Sequence, residues 1–219
     1  MGIDLYVNKF STPSRAALMT VRQLQASVNI AINIKYLDLP ANEHMTPEFL
    51  KINPAHTVPA ISDNGFNLWE SRAILAYLCN QYSPESSLYP TDPKTRALVD
   101  RSLNFDNTIM TAFREVLAAK YFSGVDPPED KVTAFHNNLK VLDALIGRSK
   151  YLIGNHLTIA DFSLGAIIAN YHWFDFSFSG YPNIERWYST LRELPYFAEI
   201  NEFSKEERDI GWFTSKQNK

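Results

Sequence analysis

Short apolar runs alternate with a helix-like stretch at the start of the chain. Residues 3–7 (IDLYV) and 32–39 (INIKYLDL) predict strands, because both are compact runs rich in β-branched and aromatic residues. Residues 11–24 (STPSRAALMTVRQL) predict a helix, with a serine–threonine pair available as N-cap and a proline just inside the start. The order strand, helix, strand is that of a parallel βαβ unit.

A hairpin and a second amphipathic helix are predicted next. Residues 58–62 (VPAIS) and 66–69 (FNLW) predict two strands, since the sequence DNG between them is typical of a tight turn. The helix begins at about Glu70, and its predicted apolar face has four members, Ala73, Ile74, Tyr77 and Leu78. A βαβ unit followed by ββα predicts a small mixed sheet with helices packed on it.

Longer helical periodicities dominate the remainder. One apolar stripe comprises Phe105, Ile109, Phe113, Val116 and Leu117. A second comprises Phe135, Leu139, Leu142, Leu145 and Ile146, and it ends at Gly147. A third helix is expected after Thr158, which has the spacing of a capping box with Asp161.

Proline and serine are concentrated between the two styles of sequence. We therefore predict an α/β domain over residues 1–83, a linker over 84–94 and an all-helical domain over 95–219. The fold class is thus α/β plus all-α.

Charge and composition exclude several classes of function. The 219 residues include 21 basic and 24 acidic residues, for a formal charge of −3, and no long basic run, so a nucleic-acid surface is disfavoured. We expect no membrane span, because no apolar run approaches the ~18 residues that a span needs. We expect no secretory signal, because residues 1–10 lack the basic region and the apolar stretch of about 7–15 residues that such a signal has. A single cysteine, Cys79, permits no internal disulfide and no thiolate metal cluster. The expectation is a cytoplasmic protein without a metal.

Glu70, Ser71 and Arg72 place an anion, a hydroxyl and a cation at one helix entrance. A helix N-terminus attracts anions, so Ser71 could bind a carboxylate while Glu70 binds an ammonium group. Together they suit the head group of an α-amino acid. The alternative is that Glu70 only interacts with the helix dipole and that Arg72 forms a surface ion pair.

Two further segments carry candidate chemistry. Val58-Pro59 begins a strand, where a cis peptide bond would turn the Val58 backbone outward for pairing with a peptide-like ligand. His56, and likewise His44, could donate to a carboxylate, although each is more often a structural histidine. Ser11 ends the first strand and starts the first helix; it could simply be a cap, and no G-x-S-x-G elbow surrounds it.

In this order, STPSR (11–15), NPAHTVPA (53–60) and LWESRAI (68–74) resemble the cytosolic glutathione transferases, and the resemblance covers nearly the whole chain. Residues 43–78 look most like the insect and arthropod delta class, with the epsilon class as the nearest rival. LTIADFS (157–163) matches the capping box of the second domain in that family. The resemblance implies a thioredoxin-like N-terminal domain, an all-helical C-terminal domain, glutathione as co-substrate and a homodimer.

The resemblance also implies residue roles. Ser11 would be catalytic, because its hydroxyl would donate a hydrogen bond to the glutathione sulfur and stabilise the thiolate. Glutathione would contact His44, His56, Val58, Pro59, Glu70, Ser71, Arg72 and, from the partner subunit, Asp106. The pocket for a hydrophobic electrophile, carried by the C-terminal domain, would use Thr12, Pro13, Met110, Phe113, Leu117, Trp212 and Phe213. Core packing is an equally good interpretation of Phe113 and Leu117.

Two features complicate this picture. Delta-class sequences usually have Pro-Gly before the serine, whereas this chain has Lys9-Phe10, which cannot adopt a positive φ as cheaply as glycine. Other classes use a tyrosine near the first strand, but Tyr6 lies within the strand and ranks below Ser11 as the catalytic residue.

The leading hypothesis for the function is an enzyme that conjugates xenobiotics, insecticides included. The alternatives are a weakly catalytic binding protein and a structural or regulatory member of the same fold.

Overall fold

The computed structural model describes residues 2–208 of the chain. These residues form two compact units, and the second comprises Ser87–Ala198. The first unit contains the residues up to Ser86 together with the described residues from Glu199 onward. Nothing in the sequence indicates that the chain returns to the first unit after Ala198.

A four-stranded sheet forms the centre of the first unit. Its strands are β1 (Ile3–Val7), β2 (Ile32–Tyr36), β3 (Ala60–Asp63) and β4 (Phe66–Trp69). The spatial order is β2-β1-β3-β4, with β1 parallel to β2, and with β3 antiparallel to both β1 and β4. The predicted parallel pair, the hairpin and the thioredoxin-like mixed sheet are therefore confirmed.

Three helices accompany this sheet, namely α1 (Thr12–Ser27), α2 (Pro47–Leu50) and α3 (Ser71–Tyr82). α1 packs against α3. A 3₁₀ turn over Glu43–Met45 precedes α2, whose N-cap Thr46 accepts a hydrogen bond from the backbone of Phe49. The sequence did not predict α2, because a four-residue helix is too short to show an apolar period.

The apolar face of α3 differs from the predicted one. Ile74, Leu75, Leu78 and Cys79 are buried, whereas Ala73 is exposed. Tyr77 is half-buried, and its hydroxyl donates to Asp63 at 2.7 Å. The buried stripe is thus rotated by one residue, because a single helix has several overlapping sets of i, i+4 positions and only packing selects one.

The second unit is helical. Its elements are α4 (Pro93–Phe113), a π-helical turn (Arg114–Ala118), α5 (Ala119–Ser123), α6 (Glu129–Ile146), α7 (Ile159–Trp173) and α8 (Pro182–Arg192), and α9 (Phe197–Asn201) follows. Every residue of α7 from Ile159 to Tyr171 is buried, as expected for the central helix of a bundle. α7 packs against α4 and α8, while α6 also contacts both of those helices.

No helix within residues 2–208 has both the length and the apolar composition to cross a bilayer. α7, the helix that is buried on all sides, has 15 residues.

The predicted capping box at the start of α7 is present, and Asp161 does more than cap the helix. One carboxylate oxygen accepts from the backbone N–H and the hydroxyl of Thr158, at 2.8 and 2.9 Å. The other accepts from the Leu152 backbone and from Nε1 of Trp187, both at 2.8 Å. Asp161 is fully buried, and its four hydrogen bonds join the helix start, the preceding loop and α8 in a single network.

We expect Asp161→Ala to lower the free energy of unfolding by about 3–5 kcal/mol, since four buried donors lose their acceptor. Asp92→Ala is the matched control, because Asp92 caps α4 from an exposed position and its loss should cost clearly less than that of Asp161. Urea unfolding of both variants measures the difference, and equal losses would contradict the assigned network.

Candidate active site

Strand register brings the segments of interest to one edge of the sheet. Tyr6 pairs with Ala60, and Ala60 pairs with Trp69, so β1 and β4 end where β3 begins. β2 ends at the same edge, where the N–H of Leu37 donates to the Val7 carbonyl at 2.8 Å. The chain segments carrying Ser11, His44, Val58-Pro59 and Glu70-Ser71 therefore all leave the sheet at this edge.

Ser11 is half-buried and is the N-cap of α1. Its Oγ accepts a hydrogen bond from the backbone N–H of Ser14 at 3.4 Å. A hydroxyl can donate once while it accepts, so this contact leaves the Ser11 proton available for a ligand. α1 has 16 residues, and the partial positive charge at its start favours an anion there.

Asn8 organises the turn before Ser11, a role that the sequence did not indicate. Its side chain donates to the Leu37 carbonyl at 3.1 Å and accepts from the Phe10 backbone at 3.0 Å. Its backbone carbonyl accepts from the Ser11 N–H at 3.1 Å. Neither Lys9 nor Phe10 has a positive φ, so the dipeptide that departs from the delta-class pattern is accommodated without a glycine-like conformation.

Tyr6 lies within β1, where its ring packs edge-on against Phe49 with centroids 5.5 Å apart. Burial, and then the negative charge of Asp4, raise the pKa of the Tyr6 hydroxyl. Cys79 is buried in α3, where desolvation raises its pKa to about 12, so it remains a thiol at neutral pH. Neither Tyr6 nor Cys79 is therefore a better candidate for the catalytic residue than Ser11, which follows the C-terminal end of β1.

Glu70 immediately precedes α3 and has a φ of 70°. This conformation is unfavourable for a residue with a Cβ, and such strain, of order 1–3 kcal/mol, is found mainly at functional sites. The exposed Glu70 side chain makes no capping hydrogen bond to α3, and its interaction with the helix dipole stays an alternative to ligand binding. Ser71 and Arg72 are half-buried in the first turn.

The Val58–Pro59 peptide bond is cis. Val58 is half-buried, and within residues 2–208 its backbone N–H and carbonyl form no hydrogen bond. Pro59 is buried directly before β3. The Val58 backbone therefore has both a donor and an acceptor to offer at the sheet edge.

Asn53 holds the loop that precedes Val58, and sequence analysis missed this role. Its fully buried side chain donates to the Thr57 carbonyl at 2.8 Å and accepts from the Ala55 backbone at 2.9 Å. Its backbone carbonyl accepts from the N–H of His56 at 3.0 Å. The Asn-Pro dipeptide at 53–54 was a turn signal that could have pointed to it.

His44 and His56 lie side by side, with ring centroids 6.2 Å apart. Burial lowers the pKa of the half-buried His44, and the neighbouring charge of His56 lowers it further. Nδ1 of His44 is buried and has no hydrogen-bond partner within residues 2–208. The structure thus brings both predicted histidines together, and one of them has an unused ring nitrogen.

Candidates for the electrophile pocket are found in both units. In the first, Thr12 is buried and its hydroxyl accepts from Arg15 at 3.3 Å, while Pro13 is half-buried in the same turn. In the second, Met110 is buried in α4 and Leu117 is half-buried in the π-helical turn. Trp212 and Phe213 lie outside the described residues.

Phe113 and Asp106 are both buried. Phe113 is fully buried and packs against Tyr171 and Phe174 at centroid distances of 5.3 and 5.2 Å, which favours its alternative interpretation as core. Asp106 is 3% exposed and accepts a short hydrogen bond from Ser163. A contact from Asp106 to glutathione in a partner subunit would require this side chain to become accessible, and it stays a prediction.

Two parts of the chain match domains of a known protein family. Residues 6–80 match the glutathione S-transferase N-terminal domain, and residues 105–195 match the C-terminal domain. A solved delta-class glutathione transferase from Nilaparvata lugens is 38% identical, with a TM-score of 0.83 over 97% of this chain and 98% of that one. The chain belongs to the glutathione S-transferase family. Its function is that of a glutathione transferase.

Other solved members agree with this assignment. A diazinon-metabolizing glutathione S-transferase of the silkworm Bombyx mori is 32% identical, with a TM-score of 0.83 over 94% of this chain and 99% of that one. An epsilon-class enzyme of the housefly Musca domestica is 31% identical, with a TM-score of 0.82 over 99% and 98% of the two chains. The predicted likeness to the delta and epsilon classes is confirmed.

We expect Asn53→Ala to lower the free energy of unfolding of this transferase by about 1–3 kcal/mol, because the 53–57 loop loses buried hydrogen bonds. Glutathione affinity should also fall, by about tenfold, since His56 lies in that loop and Val58 follows it directly. Asn104→Ala, which removes an exposed asparagine on α4, should change stability by less than about 0.5 kcal/mol. Urea unfolding and calorimetric titration with glutathione test both effects. An unchanged affinity would separate the loop from the binding site.

Proposed function

We propose that glutathione binds across the sheet edge, with its sulfur at Ser11 and its γ-glutamyl end at Glu70 and Ser71. The strand register carries this proposal, because it places the starts of α1 and α3 at one edge with the Val58 backbone between them. β1 and β4 are separated by one strand, a distance of about 10 Å. An extended tripeptide also spans about 10 Å.

Ser11 acts as a hydrogen-bond donor in this mechanism and does not attack the substrate. A thiol with a pKa of about 8.5 is only about 3% ionised at pH 7, whereas a pKa about two units lower gives roughly three-quarters thiolate. That shift corresponds to about 2.7 kcal/mol. The Ser11 hydroxyl and the positive end of α1 supply this stabilisation together, because both favour an anion next to the helix start.

The remaining contacts follow the chemistry of the tripeptide. Ser71 and the unpaired N–H groups of α3 bind the γ-glutamyl carboxylate, Glu70 binds the ammonium group and Arg72 supports this end. The Val58 backbone pairs with the cysteinyl unit beside the buried Pro59. His44 and His56, whose rings lie side by side, face the glycine carboxylate.

The thiolate sulfur then forms a bond to an electrophilic carbon, and the leaving group departs with the bonding electrons. Thr12 and Pro13, at the start of α1, remain candidates for contact with the electrophile, and the roles of Met110 and Leu117 stay predictions from the sequence. Insecticides are the proposed substrate class, in keeping with the diazinon-metabolizing silkworm relative. The homodimer, the cytoplasmic location and a role in insecticide resistance stay predictions.

A glutathione-binding protein with weak catalysis is the second candidate, because Lys9-Phe10 replaces the usual dipeptide next to Ser11. Retention on immobilised glutathione together with turnover of a chlorodinitrobenzene substrate would support the enzyme. Retention without turnover would support the binding protein.

We expect Ser11→Ala to abolish the ultraviolet absorbance of the bound thiolate near neutral pH, while the glutathione Kd changes only a few-fold. Because Ser11 also caps α1, the variant should lose about 1 kcal/mol of stability. Ser11→Gly is the control, since glycine at an N-cap costs only a few tenths of a kcal/mol and also lacks the hydroxyl. Both variants should lose the thiolate signal. An unchanged titration in either would assign sulfur activation to another group.

For Glu70→Gln we expect the opposite pattern, in which the glutathione Kd rises about tenfold or more while the pKa of the bound thiol stays near the wild-type value. Loss of the carboxylate removes an ion pair with the ammonium group but leaves Ser11 unchanged. Glu48→Gln, at an exposed position of α2, serves as a matched charge control. A Kd that rises equally in both variants would refute the specific pairing at Glu70.

A further inference from the structure

The dipeptide before Ser11 contacts the segment that follows α9. The rings of Phe10 and Phe203 are 5.2 Å apart between centroids and are inclined at 50°. Nζ of Lys9 lies 4.8 Å from the Phe10 ring centroid and 5.6 Å from that of Phe203. The same ammonium group is 3.6 Å from Oε1 of Glu207. We call Lys9, Phe10, Phe203 and Glu207 the latch.

Glu207 is held in place for its contact with Lys9. Its Oε2 accepts from the backbone N–H of Ser204 at 2.9 Å, and its own N–H donates to the Ser204 hydroxyl at 3.2 Å. These two bonds form a capping box for the helical turn at residues 205–208. Ser204, and more weakly Lys9, hold the pKa of the Glu207 carboxyl below its usual range, so Oε1 presents a negative charge to Lys9.

The start of the same segment is anchored on α1. Asn201 is fully buried; its side chain accepts from Arg15 at 2.9 Å and donates to the sulfur of Met19 at 3.2 Å. Arg22 and Glu199 form an ion pair at 3.1 Å nearby. These contacts fix where the segment begins, upstream of the latch.

Packing between the anchor and the latch is incomplete. A cavity of about 130 Å³ lies there, lined by Leu18, Tyr36 and Ile200 among others, together with Lys9 and Phe203. Side chains therefore do not fill the space between the anchor and the latch. The latch contacts connect residues 203–207 to the turn before Ser11.

We propose that the latch positions the Ser11 hydroxyl for the glutathione sulfur. Asn8 holds the turn from the sheet side, through Leu37 and the Phe10 backbone, while Phe203 and Glu207 hold its other side through the side chains of Phe10 and Lys9. The inference rests on the proposed role of Ser11. The four latch members act through that residue and are positioning residues.

Phe203→Ala tests this role, with Glu199→Ala as the control that loosens the same segment without touching the latch. Phe203 is half-buried, so the variant should fold. We expect the pKa of the bound thiol to rise by about half a unit and kcat, measured at a pH below that pKa, to fall about twofold to threefold, because the ring and cation contacts are lost. The glutathione Kd should stay within about twofold, since the γ-glutamyl site is unchanged.

The charged half of the latch is tested separately by Lys9→Met and Glu207→Gln. Glutamine retains the capping acceptor for Ser204 and removes only the charge that faces Lys9. Each variant should raise the pKa of the bound thiol slightly, and the double variant should add little to either single change. Because both side chains are 48% exposed, the wild-type contribution should also weaken in high salt.

Ser11→Ala in the same titration distinguishes failure of the latch inference from failure of the proposed role of Ser11. If it removes the thiolate signal while Phe203→Ala matches Glu199→Ala, the latch inference is overturned and the role of Ser11 stands. If Ser11→Ala leaves the signal unchanged, both are overturned. A raised thiol pKa with a nearly constant Kd in Phe203→Ala, absent from Glu199→Ala, supports the latch.

Discussion

Backbone hydrogen bonds join β1 to β2 on one side and to β3 on the other, and this pairing decides where each site segment leaves the sheet. The row formed by Tyr6, Ala60 and Trp69 aligns the ends of three strands. A slip of one residue would move a segment by about 3.3 Å and reverse the face of every side chain on that strand. The proposed glutathione site thus depends on strand register before it depends on any single side chain.

The two helices that start at this edge, α1 and α3, differ in how their N-termini are capped. Ser11 satisfies one backbone N–H of its own helix and can still donate its own proton. At α3, Glu70 has a positive φ and its side chain makes no capping hydrogen bond. In the proposed function, the start of α1 therefore stabilises the thiolate, and the start of α3 binds the γ-glutamyl end of glutathione.

Asparagine side chains support the irregular segments around the proposed site. Asn8 holds the turn before Ser11, Asn53 holds the loop before Val58, and Asn201 joins the segment after α9 to α1. An amide has donors and an acceptor on one short side chain, so it can satisfy loop backbone groups that no strand or helix pairs. These residues make the loops reproducible without contacting the proposed ligand.

Local chemistry made part of this protein predictable. The N-cap at Ser11, the hairpin turn at 63–65 and the capping box at Thr158–Asp161 each depend on residues within four positions of one another, so their patterns are visible in the chain. The exposure of Ala73, the core position of Phe113, the loop-holding role of Asn53 and the return of the chain at Glu199 depend on contacts between distant segments. A sequence is compatible with several different contacts between distant segments, and packing selects one set of them. Only the tertiary structure therefore decided these features.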